Sequence, residues 1–164
     1  MDKAKLTKAV QFIADTETPL ERWLDKIDEP SKVELDIFSL VYGWIVIKDN
    51  DIVELTKENV DFYLSEFIRL VPNADDLLHI DVLQYVFTDR FQIYQNELAK
   101  IRASQLSDNV YLSNYFYQRV YVEPLALDDL PETVKYNSDD WQDYELADMF
   151  IHQTNHLYDY FSKL

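Results

Sequence analysis

The sequence predicts an all-α protein, and three observations support this. Gly43 is the only glycine among 164 residues, whereas average usage would give about 11. Tight hairpins, phosphate-binding loops and dinucleotide-binding motifs depend on glycine, which argues against turn-rich β-sandwich, P-loop and Rossmann folds. Apolar residues recur at helical spacing, and capping residues precede several of these segments. We therefore expect a single domain, residues 1–164, forming a bundle of about seven or eight helices, with a short solenoid as the alternative.

Three helices are predicted in the first 47 residues. The first spans Lys3 to Ala14. Thr18 is an N-cap residue for a second helix, which begins with Pro19 and runs to about Asp28. The segment from Val33 to Ile47 is apolar nearly all round, which predicts the most buried helix of the fold. Within it, Gly43 permits close approach of a neighbouring element.

Residues 44–55 are ambiguous between two structures. Two apolar, β-branched runs flank the polar residues 48–51, a pattern typical of a β-hairpin. The same residues also continue the preceding helix to about Ile47, followed by a loop. No glycine is available for the turn, so the pattern favours helix followed by loop.

The second half of the chain predicts further helices joined by short links. Thr56 caps one helix that Pro72 ends, and Asn73 or Asp75 begins another that continues through Tyr85 and Val86. An apolar seam suited to antiparallel packing follows, formed by Phe87, Phe91, Tyr94, Leu98 and Ile101. Ser107 begins the next predicted helix, and Ser138 caps the last.

The net charge limits the classes of binding partner. The chain has 31 acidic and 15 basic residues and a formal charge of −16. Proteins bind nucleic acids and anionic membranes by neutralising phosphates with Lys and Arg, so direct binding to either is not expected. A field of this sign accelerates encounter with basic proteins. The sequence therefore favours a basic protein as the partner.

Half of this charge lies between Glu123 and Asp148, where nine acidic residues accompany one basic residue. Pro124 and Pro131 indicate an irregular connection over about residues 122–138 that precedes the C-terminal helix. Aromatic residues within the segment are suited to anchoring a partner, while the carboxylates would lie at the rim. The predicted partner-binding residues are Asp128, Asp129, Glu132, Tyr136, Asp139, Asp140, Trp141 and Asp143.

The chain contains three histidines: His79 and the pair His152 and His156. The pair forms H-x-x-x-H, a spacing that places two imidazoles on one side of a helix, where they could share a metal ion. Together with His79, this pattern is similar to the triad of the DinB-like metal-binding bundles, a resemblance confined to these three residues. A helical wheel places the stripe containing the pair nearly opposite the main apolar face, which predicts solvent exposure and no bound metal.

No other pattern indicates catalysis or a cofactor. The chain has no cysteine, which excludes disulfides and thiolate chemistry, and it has no serine-nucleophile motif. The sequence thus favours a cytoplasmic protein that acts through protein–protein contact, as an inhibitor, an immunity protein or a nucleic-acid-mimicking decoy. The alternative is a metal-binding bundle that uses His79, His152 and His156.

Overall fold

The computed structural model describes residues 2–24, 28–103, 125 and 141–164. These residues form helices and connecting turns without any strand, which confirms the all-α class. The helices are α1 (Asp2–Asp15), α2 (Pro19–Leu24), α3 (Glu29–Asp49), α4 (Lys57–Leu70), α5 (Ala74–Leu77), α6 (Ile80–Ala103) and α7 (Trp141–Phe161). Because α5 is a single turn, the described residues contain six helices of more than one turn instead of the seven or eight predicted.

Helix α3 is the centre of the fold. Its residues from Val33 to Ile47 are all buried, as the apolar pattern predicts. Helices α1, α6 and α7 pack against it, and α4 packs along α1. The helix continues to Asp49 and a loop follows, so the hairpin alternative for residues 44–55 is wrong. None of the helices in the described ranges has the length and apolar character that a membrane crossing requires.

Gly43 is a point of close approach between α3 and α7. A Cβ atom at this position would lie 2.7 Å from two ring atoms of Phe161 and 3.0 Å from the hydroxyl of Tyr63. The Tyr63 hydroxyl is held in place because it donates a hydrogen bond of 2.8 Å to the Leu40 carbonyl. Glycine is therefore required for packing, since α3 is otherwise regular helix at this position.

We expect Gly43→Ala to lower the free energy of unfolding by about 1–3 kcal/mol, because overpacking a dense core forces side chains from their preferred positions. This loss opposes a gain of up to about 1 kcal/mol in helix propensity. Urea denaturation monitored by circular dichroism measures the change. Phe161→Leu in the Gly43→Ala background should recover part of the loss, and a Gly43→Ala variant more stable than wild type would contradict the packing role.

The predicted caps are present where the structure describes them. Asn59 N–H donates to Thr56 Oγ1 over 3.1 Å at the start of α4, and Glu21 N–H donates to Thr18 Oγ1 over 3.4 Å at the start of α2. Asp28 caps α3 by accepting from Ser31 N–H over 3.0 Å. Hydrogen bonds from the side chain and then the backbone of Ser31 lower the pKa of the Asp28 carboxyl. Asp28 itself has an extended backbone and belongs to the start of α3, so the predicted second helix ends before it. Residues 25–27, over which that end is predicted, lie outside the described residues.

Residues 73–103 differ from the prediction in two ways. A continuous helix from Asn73 or Asp75 does not form, because Leu78 is extended and separates the single turn α5 from α6. The apolar seam that begins at Phe87 is part of the same long helix α6. Phe87 and Tyr94 are buried, as the seam predicts, whereas Tyr85 is exposed. The predicted helix beginning at Ser107 and the Ser138 cap lie outside the described residues.

Candidate functional site

The predicted partner-binding residues lie largely beyond the part of the chain that the structure describes. Asp128, Asp129, Glu132, Tyr136, Asp139 and Asp140 fall within the undescribed range 126–140. Trp141 and Asp143 belong to the first turn of α7, and the structure describes their backbone only. Their role in partner binding remains a prediction from the sequence.

The described residues contain a second segment of the same chemical character, spanning residues 75–85 around the α5–α6 junction, which we call the α5–α6 corner. It consists of Asp75, Asp76, Leu77, Asp81 and Tyr85. All five side chains are exposed, including 58% of Tyr85 and 36% of Leu77. The chain has neither Lys nor Arg between Arg69 and Arg90, so the local sequence offers these carboxylates no permanently charged basic partner. The corner therefore combines three exposed carboxylates with two exposed apolar side chains.

Local backbone geometry presents this corner to solvent. Asn73 adopts a left-handed conformation, with φ at 66°, and reverses the chain after α4. The extended Leu78 buries its side chain while the flanking residues Leu77 and His79 point outward. Asp81 lies in the first turn of α6, where a carboxylate interacts favourably with the helix dipole. The corner is thus anchored by the buried residues Ala74 and Leu78 on either side of its first three members.

The three histidines have different environments. His79 is 74% exposed and lies 3.6 Å from a carboxylate oxygen of Asp81. His152 is exposed, whereas His156 is half-buried and its ring stacks on Phe12 of α1 at 5.8 Å. Nε2 of His156 is buried and has no hydrogen-bond partner in the described ranges. The expectation of solvent exposure is therefore wrong for His156, because α1 covers a flank of α7 that a helical wheel assigns to solvent.

Metal-binding geometry is missing from the described part of the chain. No group of three or more His, Asp or Glu side chains there is placed to hold one metal ion. His79, His152 and His156 all have described side chains, so the structure does not bring them together as a ligand set.

A buried ion pair connects α3 to α6. Glu34 is 1% exposed and Arg90 is fully buried. Nε and a terminal nitrogen of Arg90 both lie 2.8 Å from Glu34 Oε1, and the other terminal nitrogen donates to Asp89. Removing charges from water costs several kcal/mol, so each partner depends on the other.

A second buried carboxylate, Asp36, lies two residues further along α3. Oδ1 of Asp36 pairs with Lys32, which also contacts Glu21 of α2 at 3.3 Å. Oδ2 of Asp36 is buried without a hydrogen-bond partner within the described residues. Burial raises the pKa of Asp36 to about 7 despite the neighbouring Lys32, because desolvation penalises the charged form. This carboxyl therefore changes its charge close to neutral pH.

Comparison with known proteins provides no relative. No protein-family model matches the chain, and neither a curated protein nor a solved structure matches it.

Proposed function

We propose that this protein is a binding module that recognises a basic protein partner through acidic and aromatic surface residues. The observation that supports the proposal most directly is the α5–α6 corner, where Tyr85 and Leu77 are exposed among Asp75, Asp76 and Asp81. Tyrosine is enriched at interface centres, and carboxylates at the rim steer association with a positively charged surface. The net charge of −16 also attracts a basic protein over long distances.

The acid-rich segment between Glu123 and Asp148 supplies the rest of the proposed contact surface. It has the same composition as the corner, with carboxylates next to Tyr136 and Trp141. We assign Trp141 the role of a buried anchor at the interface, and the carboxylates of Asp128, Asp129, Glu132, Asp139, Asp140 and Asp143 the role of steering. A cytoplasmic inhibitor, immunity protein or nucleic-acid-mimicking decoy would use its charge in this way.

Affinity capture with matched variants tests the α5–α6 corner. The corner variant carries Asp75→Asn, Asp76→Asn and Asp81→Asn. The control variant carries Glu17→Gln, Asp51→Asn and Glu54→Gln, which removes three exposed carboxylates on other elements. We expect wild type and control to retain the same basic protein from the native cell extract at low salt, and the corner variant to retain at least tenfold less of it.

Tyr85→Ser tests the aromatic anchor in the same experiment, with Tyr158→Ser as the control because Tyr158 is 39% exposed on α7. Loss of an interface tyrosine commonly costs 2 kcal/mol or more, about thirtyfold in affinity. Circular dichroism establishes that each variant remains folded. Equal retention of the basic protein by the corner variant, the Tyr85→Ser variant and both controls would refute this surface as the contact.

A further inference from the structure

Three lysines of this acidic protein line one cavity, and none of them forms an ion pair with an acidic residue in the described part of the chain. Among the lysines whose side chains the structure describes, Lys3, Lys32 and Lys57 form ion pairs, and Lys48 lies over the ring of Phe91. The remaining three line the same cavity between α1 and the end of α7: Lys5, Lys8 and Lys163. This concentration of positive charge is unexpected in a chain whose formal charge is −16.

The cavity has a volume of about 350 Å³, and Asp159, Tyr160 and Leu164 complete its lining. This volume lies within the range of about 300–1,000 Å³ that is typical of small-molecule sites. The charged side chains of the lining comprise three lysines and one aspartate, so the local charge has the opposite sign to that of the whole protein.

Packing between α1 and α7 fixes the walls. The Tyr160 ring stacks on Phe12 with centroids 3.8 Å apart and planes inclined by 7°. Its hydroxyl donates to the Lys8 carbonyl over 3.3 Å. Lys5 Nζ donates to the carbonyl of Ile52 over 3.4 Å, which directs this lysine toward the α3–α4 loop. The cavity is therefore formed by ordered helices that hold its lysines on one side of the fold.

We propose that this cavity binds a small phosphate-bearing molecule through Lys5, Lys8 and Lys163. Lysine is a common phosphate ligand because its ammonium group is a compact point charge with three donors. Several such groups around one cavity match an anion with several oxygens and more than one negative charge. The cavity exceeds the size of inorganic phosphate, so the ligand carries an organic part that contacts Tyr160 and Leu164.

Inorganic pyrophosphate is the probe for the anionic half of this site. Titration at low ionic strength is followed by ¹H–¹⁵N NMR of the backbone amides. We expect saturable shifts confined to the residues around Lys5, Lys8 and Lys163. Because the protein as a whole repels anions, saturable binding at this position cannot come from its long-range field.

Charge-matched double variants test whether the lysines of the cavity are responsible for pyrophosphate binding. Lys8→Gln with Lys163→Gln should weaken pyrophosphate binding at least tenfold, since each charge-assisted hydrogen bond contributes about 1.5–3 kcal/mol. The control, Lys3→Gln with Lys57→Gln, removes two exposed lysines outside the cavity and should change affinity less than threefold. Absence of saturable shifts in wild type, or equal weakening in both variants, would overturn the proposal. The result is independent of whether a basic partner binds at the α5–α6 corner.

Discussion

Arg90→Met should lower the free energy of unfolding by about 3–5 kcal/mol, the cost of leaving one member of a buried ion pair without its partner. Arg90 is fully buried and supplies two nitrogens to Glu34 Oε1, each at 2.8 Å. Without the guanidinium, the buried Glu34 carboxylate would lose both of these charged contacts. Urea denaturation at pH 7, followed by circular dichroism, measures this loss.

An ion pair whose arginine is exposed to solvent provides the control. Arg69 contacts Glu66 with two nitrogens at 2.7 and 2.8 Å, but the Arg69 side chain is 61% exposed. The Glu66 side chain is only 8% exposed, but it also accepts a hydrogen bond from Thr7 Oγ1 and its arginine partner faces solvent, so Arg69→Met should cost less than Arg90→Met. Combining Arg90→Met with Glu34→Gln should restore much of the lost stability, since the uncompensated charge is removed. Equal losses for Arg90→Met and Arg69→Met would show that burial does not determine the strength of the Arg90 interaction.

Asp36→Asn should stabilise the protein at pH 8 and have little effect at pH 4. Burial raises the pKa of Asp36 to about 7 from 3.8 in an unfolded chain. The folded state therefore retains a proton that the unfolded state has lost between these values, and the contribution of Asp36 to stability decreases as pH rises through this interval. At about 1.4 kcal/mol for each unit of pKa, this decrease amounts to at most about 4 kcal/mol. Asparagine cannot ionise, so the Asp36→Asn variant lacks this decrease in stability.

Unfolding free energies of wild type and Asp36→Asn at pH 4, 6 and 8 test this pH dependence. The difference between the two proteins isolates the contribution of Asp36 from that of the other carboxyls. Asp61→Asn is the control, because Asp61 pairs with Lys57 at the same i, i+4 spacing on an exposed face. A pH-independent difference between wild type and Asp36→Asn would contradict the raised pKa.

Local patterns of residues were sufficient to predict most of the described helices. Thr18 and Thr56 cap helices because their hydroxyls accept from nearby backbone amides, a relation that is visible within four residues. The close packing at Gly43 was also predictable, because a lone glycine in an apolar helix indicates that a neighbouring element approaches there. The all-round burial of α3 follows from the same apolar pattern.

Contacts between distant residues could not be predicted in this way. Glu34 and Asp36 lie in the apolar segment from Val33 to Ile47, and this position was a usable signal that both carboxylates are buried. The partner of Glu34 is 56 residues away, and no local pattern identifies Arg90. His156 was placed in solvent because a helical wheel considers one neighbouring surface, whereas α1 also packs against α7 through Phe12. No glycine marks the break between helices at Leu78, so the sequence pattern did not predict this break or the α5–α6 corner beside it.

The association rate of the captured basic partner, measured by surface plasmon resonance from 20 to 500 mM salt, tests the central claim most directly. Electrostatic steering predicts fast association with wild type at low salt and a steep decrease as salt rises. The corner variant with Asp75→Asn, Asp76→Asn and Asp81→Asn should associate more slowly and with a flatter salt dependence, while the control with Glu17→Gln, Asp51→Asn and Glu54→Gln should remain close to wild type. If the corner variant associates at the wild-type rate at every salt concentration, the α5–α6 corner does not steer the partner and the proposed contact surface is wrong.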